Sequence, residues 1–237
     1  MSILKLAISV ASLLLLISCA DHNISTEVQP IPTNLKEDKQ QIYLASLNQV
    51  NALIKEKKYR EAELILTREA QKHESDFVVQ SKLLYINSAQ AKLSLSKNDF
   101  LSSGLDIEAG ETALITLKQI VLMPESEVPK DFAKILKGQE DELLVIRNNL
   151  TRSIDGYCNK QFAEADALAK EAKSMIASND RDMIIAGLVK VRECNQFGKW
   201  ASVDNKGKST NSVRKLLNLA EEKEHDSLLR AAGFGFQ

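Results

Sequence analysis

The sequence predicts an all-α protein built of antiparallel helical hairpins, and three observations predict it. Glycine and proline are sparse, with 9 Gly and 4 Pro in 237 residues, too little punctuation for a chain of short strands and tight turns. Aromatic residues make up only 5% of the chain, whereas the good helix formers Leu, Ala, Lys and Glu are abundant. From Leu35 onward, apolar residues recur at steps of three and four, the spacing that lines one face of a helix.

Each element follows from its own stripe. Tyr43, Leu47, Val50 and Ile54 share a face, and Lys55-Glu56-Lys57-Lys58 interrupts it. Tyr59, Ala62, Leu66 and Ala70 begin a second stripe so soon afterwards that the two helices must fold back on each other. A third helix is predicted from about Asp76 to Leu95, carrying Phe77, Leu84 and Ala91, with Ser75 or Asp76 as its N-cap. Ser96 to Asp99 is a turn before Phe100. Ser102-Ser103-Gly104 weakens the next helix start, which places that helix from about Ile107 to Val121, with Leu114 and Leu117 inside. Met123 to Pro129 reads as a loop.

The segment Lys130 to Asn159 keeps one apolar face through Phe132, Leu136, Leu143, Ile146, Leu150, Ile154 and Tyr157, with Gly138 as a point of bending. Asn159-Lys160-Gln161 reads as a turn, followed by a stripe of Phe162, Ala165, Leu168, Ala172 and Met175. Ser178-Asn179-Asp180 caps a helix carrying Ile184, Leu188, Val191 and Cys194. Gly198-Lys199 turns into Trp200, and Asp204 to Lys208 reads as a polar loop. A last helix is predicted from about Thr210 to Ala232 on Val213, Leu217 and Ala220. The tail, residues 233–237, either packs onto the last hairpin or offers a short peptide to a partner's groove.

The N-terminus has a different character. Lys5 is the one charge before an uncharged, leucine-rich run from Leu6 to Ile17. A positive end followed by about a dozen apolar residues is the pattern of an export signal. It is too short to span a hydrocarbon core of ~30 Å as a helix. The run ends in Leu16-Ile17-Ser18-Cys19, which resembles the bacterial lipobox, Leu-x-small-Cys. The resemblance implies that residues 1–18 are a signal peptide, with Leu16 and Ser18 as recognition positions. It also implies that the Cys19 thiol carries a diacylglycerol, so that acyl chains anchor the protein in a membrane. A chance cysteine after an ordinary secretory signal, or a signal anchor, is the alternative. Ala20, rather than an aspartate, follows the cysteine, which implies the outer membrane, facing the periplasm. Residues 19–34, with Pro30 and Pro32, read as a lipidated tether to a helical domain at 35–232.

The near balance of 31 basic and 32 acidic residues argues against nucleic acid as a partner. Of three cysteines, Cys19 is taken by the anchor. Cys158 and Cys194 are left as an even pair in an oxidising compartment, where they form a disulfide or remain two small buried residues.

Four turns share a local pattern of polar turn, aromatic, two residues, then a small residue. The pairs are Tyr59 and Ala62, Phe100 and Ser103, Phe162 and Ala165, and Trp200 with Val203 in the small position. An aromatic that opens a second helix plugs the gap near the turn, and a small residue three further on lets the axes approach. Lys57-Lys58-Tyr59-Arg60-Glu61-Ala62 and Lys160-Gln161-Phe162-Ala163-Glu164-Ala165 resemble the turn and second-helix start of tetratricopeptide repeats. The resemblance implies a solenoid of stacked hairpins over roughly residues 40–232. The aromatics are spaced more widely than the family's period of about 34 residues. A generic helical bundle is the alternative. In the repeat register, Cys158 and Cys194 fall near the ends of the first helices of successive hairpins. A bridge there would close a loop of about 35 residues, worth ~3–4 kcal/mol.

Candidates for chemistry are few. Gly207-Lys208-Ser209-Thr210 resembles the end of a phosphate-binding loop, but position 202 is serine rather than glycine and the flank is helical. His22, His73 and His225 share no metal-ligand spacing. Glu108 and Glu111 read as ordinary solvated helix charges. No metal, cofactor or enzymatic activity is expected. The expected function is a protein–protein interaction scaffold or assembly factor in a cell-envelope complex, serving secretion, pilus or outer-membrane assembly. The alternative is a carrier that holds a lipid or other hydrophobic ligand in a helical cavity.

Overall fold

In the computed structural model, residues 33–123, 129, 131–174, 180–220 and 224–235 are described. The predicted signal peptide, Leu16, Ser18, Cys19 and the tether up to residue 32 lie outside them. By contact the chain divides into residues 1–40 and 41–237. The described part of the first is the start of one helix, and every contact below lies within the second.

The described residues form eight helices and no strand. They are α1 (Thr33–Lys55), α2 (Tyr59–Lys72), α3 (Phe77–Ser96), α4 (Phe100–Leu122), α5 (Phe132–Ser174), α6 (Asp180–Asn195), α7 (Val203–Leu217) and α8 (His225–Ala231). The protein is all-α.

Two hydrophobic clusters hold them. Val50, Ala62, Leu66, Val79 and Ile86 join α1, α2 and one side of α3. A larger cluster runs from Leu84 and Ala91 on α3 through α4, α5, α6 and α7 to Leu228 on α8. Odd-numbered helices share one direction. Tyr43 meets Asp76 and Asn51 meets Lys82 between α1 and the start of α3. Phe77 meets Phe132 edge to face, and Lys92 pairs with Glu142 further along α3 and α5. Lys208 reaches Asn159 and Lys215 reaches Asp166 between α7 and α5. Even-numbered helices return between them: α3 with α4, α4 with α5, α5 with α6, and α6 with α7 each pack directly.

Two of the turns use one device. Lys57 and Asn98 are left-handed, with φ of 60° and 58°. In each case the next amide reaches back five residues: Lys58 N donates to Leu53 O at 2.9 Å and Asp99 N donates to Ser94 O at 3.0 Å. This satisfies orphan carbonyls at the helix end and points the chain back. One residue further on, Tyr59 and Phe100 open the next helices. Gly233, at φ 78°, closes α8 the same way, with Phe234 N on Leu229 O. Phe234 thereby packs against the main core, the first of the two readings of the tail; Phe236 and Gln237 lie outside the described residues.

Several expected boundaries are corrected. Asn159-Lys160-Gln161 is not a turn: α5 runs unbroken for 43 residues, about 65 Å, through Gly138 as well. These residues tolerate helix, and the buried stripe continues through Ile154, Cys158, Phe162, Ala165, Ala169 and Ala172 without a change of period. α4 starts at Phe100 rather than near Ile107, because the Asp99 carboxylate caps Ser102 N at 3.0 Å and Ser103 and Gly104 pack tightly. Asp204 to Lys208 is helix, not loop, with Ser202 as N-cap accepting from Asn205 N. The single last helix is instead α7 and α8, with residues 218–220 as a turn after Leu217.

Candidate functional site

The expected packing residues divide into two groups. Tyr59 opens α2 and lines the smaller cluster, with Ala62 fully buried beneath it. Phe100 opens α4, and Ser103 follows with no exposure, its hydroxyl donating to Ala91 O at 3.0 Å across to α3. That bond needs close axes, as a small residue at this position allows. Phe162 and Ala165 are also buried, but in mid-helix, so they open nothing. Trp200 sits in the turn before α7 rather than at its first residue, and Val203 is exposed instead of facing a neighbouring helix.

Trp200 nevertheless organises the centre of the domain. Its ring lies on Gly104 of α4, where a Cβ would fall 2.6 Å from Cδ2 and closer still to Cε2. Its Nε1 donates to Glu108 Oε1 at 3.0 Å, and its carbonyl accepts from Thr151 Oγ1 of α5 at 2.9 Å. Lys199 also pairs with Glu108 at 2.6 Å. Beside it, Phe100, Tyr157 and Phe197 meet edge to face in a three-ring cluster joining α4, α5 and the 195–202 turn. Asp155 ties the same turn down, accepting from Ser202 N at 3.1 Å and from Asn205 Nδ2 at 2.5 Å.

Cys158 and Cys194 are paired as a disulfide, with Cα atoms 5.5 Å apart. The register differs from the expectation. Cys158 lies within the continuous α5, and α6 runs antiparallel to it, so the bridge crosses one hairpin rather than two. Tyr157 to Glu193 and Lys190 to Glu164 flank it along the same seam.

The remaining candidates for chemistry have structural partners. Glu111 pairs with Arg147. His73 meets Tyr43 edge to face, and His225 lies 3.3 Å from Ala220 O. Gly207-Lys208-Ser209-Thr210 lies inside α7, where Ser209 donates to Asn195 Oδ1 at 2.5 Å. Among the described residues, no group of three His, Cys, Asp or Glu converges to hold a metal. No helix among them is long and apolar enough to cross a membrane.

Surface features are more informative. α4 is apolar on two sides. Ile107, Leu114, Leu117 and Ile120 face inward, while Leu101, Leu105, Ile115 and Leu122 form an outward stripe. Leu122 is 82% exposed. An open groove of about 610 Å³ beside it runs along Val121, Leu122, Ala133 and Leu136, flanked by Lys118, Lys137, Glu140 and Asp141. A second, of about 590 Å³, separates α5 from α7 and is lined by Asn159, Asp166, Lys208, Arg214 and Lys215.

Sequence reasoning missed two buried charged groups: Glu69 of α2, paired with Lys72 at 3.1 Å, and Asp106. Asp106 of α4 is only 2% exposed and takes Arg60 Nη2 of α2 at 2.8 Å. Burial raises its pKa above the ordinary aspartate value, Arg60 opposes the rise, and Glu63 adds to it. No local pattern marks it, because its partner lies on another hairpin.

Comparison of the chain with protein-family models, with curated proteins and with solved structures finds no match. The reading of function therefore stands on the chain's own residues.

Proposed function

We propose that this is a membrane-anchored, periplasm-facing lipoprotein whose helical domain is a solenoid of hairpins, similar to tetratricopeptide repeats. In this reading it acts as a scaffold or assembly factor for a protein complex of the cell envelope. The observation that carries the solenoid is the packing order. Each helix from α2 to α7 packs on the next in sequence, α3 also packs on α5 and α5 on α7, and the odd-numbered helices are aligned. Stacked hairpins in such an order present extended surfaces to other proteins. The outward stripe of Leu101, Leu105, Ile115 and Leu122 supplies apolar area of the kind that protein contacts bury.

Two further features support the location. The leader ends in Leu16-Ile17-Ser18-Cys19. The pairing of Cys158 with Cys194 suits an oxidising compartment. Anchoring is part of the mechanism, because acyl chains raise the local concentration of scaffold and partner at one surface.

The test is Cys19→Ala together with crosslinking in the native envelope. The variant is expected to fold with an unchanged circular dichroism spectrum, to leave the membrane fraction, and to lose the crosslinked partner. A variant that leaves the membrane yet keeps full partner capture and function overturns the proposal.

A further inference from the structure

Leu83 of α3 packs against both hydrophobic clusters, whereas α2 and α4 belong to different ones. What ties these two helices directly is polar. Arg60 of α2 lies between two carboxylates: its Nη1 donates to Glu63 Oε2 at 3.1 Å and its Nη2 to Asp106 Oδ1 at 2.8 Å. Gln90 Nε2 of α3 donates to the same Glu63 oxygen at 3.0 Å, and Ser94 Oγ lies 3.4 Å from Asp106 Oδ2. Asp99, the N-cap of α4, also feels the Arg60 charge. Thus the groups facing Asp106 are Arg60 and Glu63 from α2 and Ser94 from α3.

The charge count does not close. One guanidinium serves both Glu63 and Asp106, and the Arg60 side chain is 61% exposed, so water weakens its hold. Asp106 has almost no water of its own. The Gln90 Oε1 and Asn87 Oδ1 atoms nearby on α3 are buried acceptors without a partner in the fold, and they add no positive charge. A buried carboxylate in surplus over its cation is relieved most directly by a proton.

We propose that Arg60, Glu63 and Asp106 form a proton-operated latch between α2 and α4, in which uptake of one proton from solvent by the Asp106 carboxyl strengthens the docking of the α1–α2 hairpin. A proton on Oδ2 removes the surplus charge and gives Asp106 an O–H that the Ser94 hydroxyl can accept, while Oδ1 still accepts from Arg60 Nη2 across to α2. The sign follows from the buried form holding its proton more tightly than the undocked form. Docking is then strongest in acid and weakens as pH rises through the Asp106 titration. In sequence, the α1–α2 hairpin lies between the N-terminal segment and the rest of the domain, so acid would stiffen that connection. The inference does not depend on the scaffold reading.

Hydrogen exchange of the full chain from about pH 4, the ordinary aspartate value, to about pH 7, corrected for the intrinsic rate, tests it. The opening equilibrium of α2 amides is expected to rise with pH, by at most about tenfold per pH unit for a single proton. Amides of α6, remote from the latch, serve as the reference. Asp106→Asn, which mimics the neutral acid in shape, is expected to hold α2 at its acid level of protection across the range. Carbon-13 detection of the Asp106 carboxyl in the unmodified protein gives a reading that needs no variant. A carboxyl titrating at or below the ordinary aspartate value, or an α2 opening that is flat with pH, overturns the latch. So does an Asp106→Asn protein with the unmodified protein's pH slope.

Discussion

The contact between Gly104 and Trp200 predicts an opposite sign for one mutation in two backgrounds. Gly104→Ala places a methyl group 2.5 Å from Cζ2 and 2.6 Å from Cδ2 of the indole, well inside carbon–carbon contact. The ring cannot step aside cheaply, because its Nε1 is bonded to Glu108 and its carbonyl to Thr151. Overpacking of this kind costs ~1–3 kcal/mol. Against it stands the helix preference of alanine over glycine, about 1 kcal/mol inside α4. The net expectation is a loss of about 0–2 kcal/mol in the unmodified protein.

Trp200→Ala alone costs ~3–5 kcal/mol, since the ring is almost fully buried. In that background the clash is gone, and Gly104→Ala should stabilise by about 1 kcal/mol. The coupling between the two sites is therefore about 1–3 kcal/mol, the overpacking cost itself. Urea unfolding followed by far-ultraviolet circular dichroism measures all four proteins. Fluorescence does not serve, because Trp200 is the only tryptophan. If Gly104→Ala has the same sign and size in both backgrounds, the argument for close packing at this turn fails.

Three further outcomes follow from particular contacts. Replacing both Cys158 and Cys194 by serine should lower stability by ~3–4 kcal/mol, read from the same unfolding curves, and reductant should do the same to the unmodified protein. Lys57→Gly should stabilise by about 1 kcal/mol, because Lys57 is held at φ 60°, where a side chain is strained. Asp76→Ala should cost ~1–2 kcal/mol as the α3 cap bonds to Val78 N and Val79 N are lost. It should also let Tyr43 ionise at lower pH, since burial first and then Asp76 hold that hydroxyl above its ordinary pKa. In the unmodified protein, stability should therefore fall as pH rises beyond about 10, where an unfolded tyrosine ionises and Tyr43 does not. Phenolate absorbance reports both effects.

The features legible in the sequence were those written as apolar stripes between clear stops. α1, α2, α3 and α6 carry such stripes, and Asp76 announces the start of α3. α4 was misread at its start because Ser102-Ser103-Gly104 are poor helix formers alone. There, packing overrides propensity: Ser103 needs to be small against Ala91, and Gly104 against Trp200. α7 was misread because its inward face is small and polar. Asn205, Ser209 and Ser212 are buried there, and Asn205 Nδ2 and Ser209 Oγ make hydrogen bonds to Asp155 and Asn195 where apolar periodicity would place hydrophobic side chains. Asn159-Lys160-Gln161 before Phe162 has the look of a hairpin turn, but the apolar stripe runs unbroken on either side of it and keeps α5 continuous. Asp106 was invisible, because a charge on a helix reads as solvated until the partner helix is known.

The central claim is that Cys19 anchors this helical domain to a membrane, and intact-mass analysis of the protein purified from membranes tests it most directly. The account predicts a chain that lacks residues 1–18, begins at Cys19, and carries acyl chains released by hydrolysis. A chain that retains Met1, or one cut elsewhere with an unmodified Cys19 thiol, would contradict it.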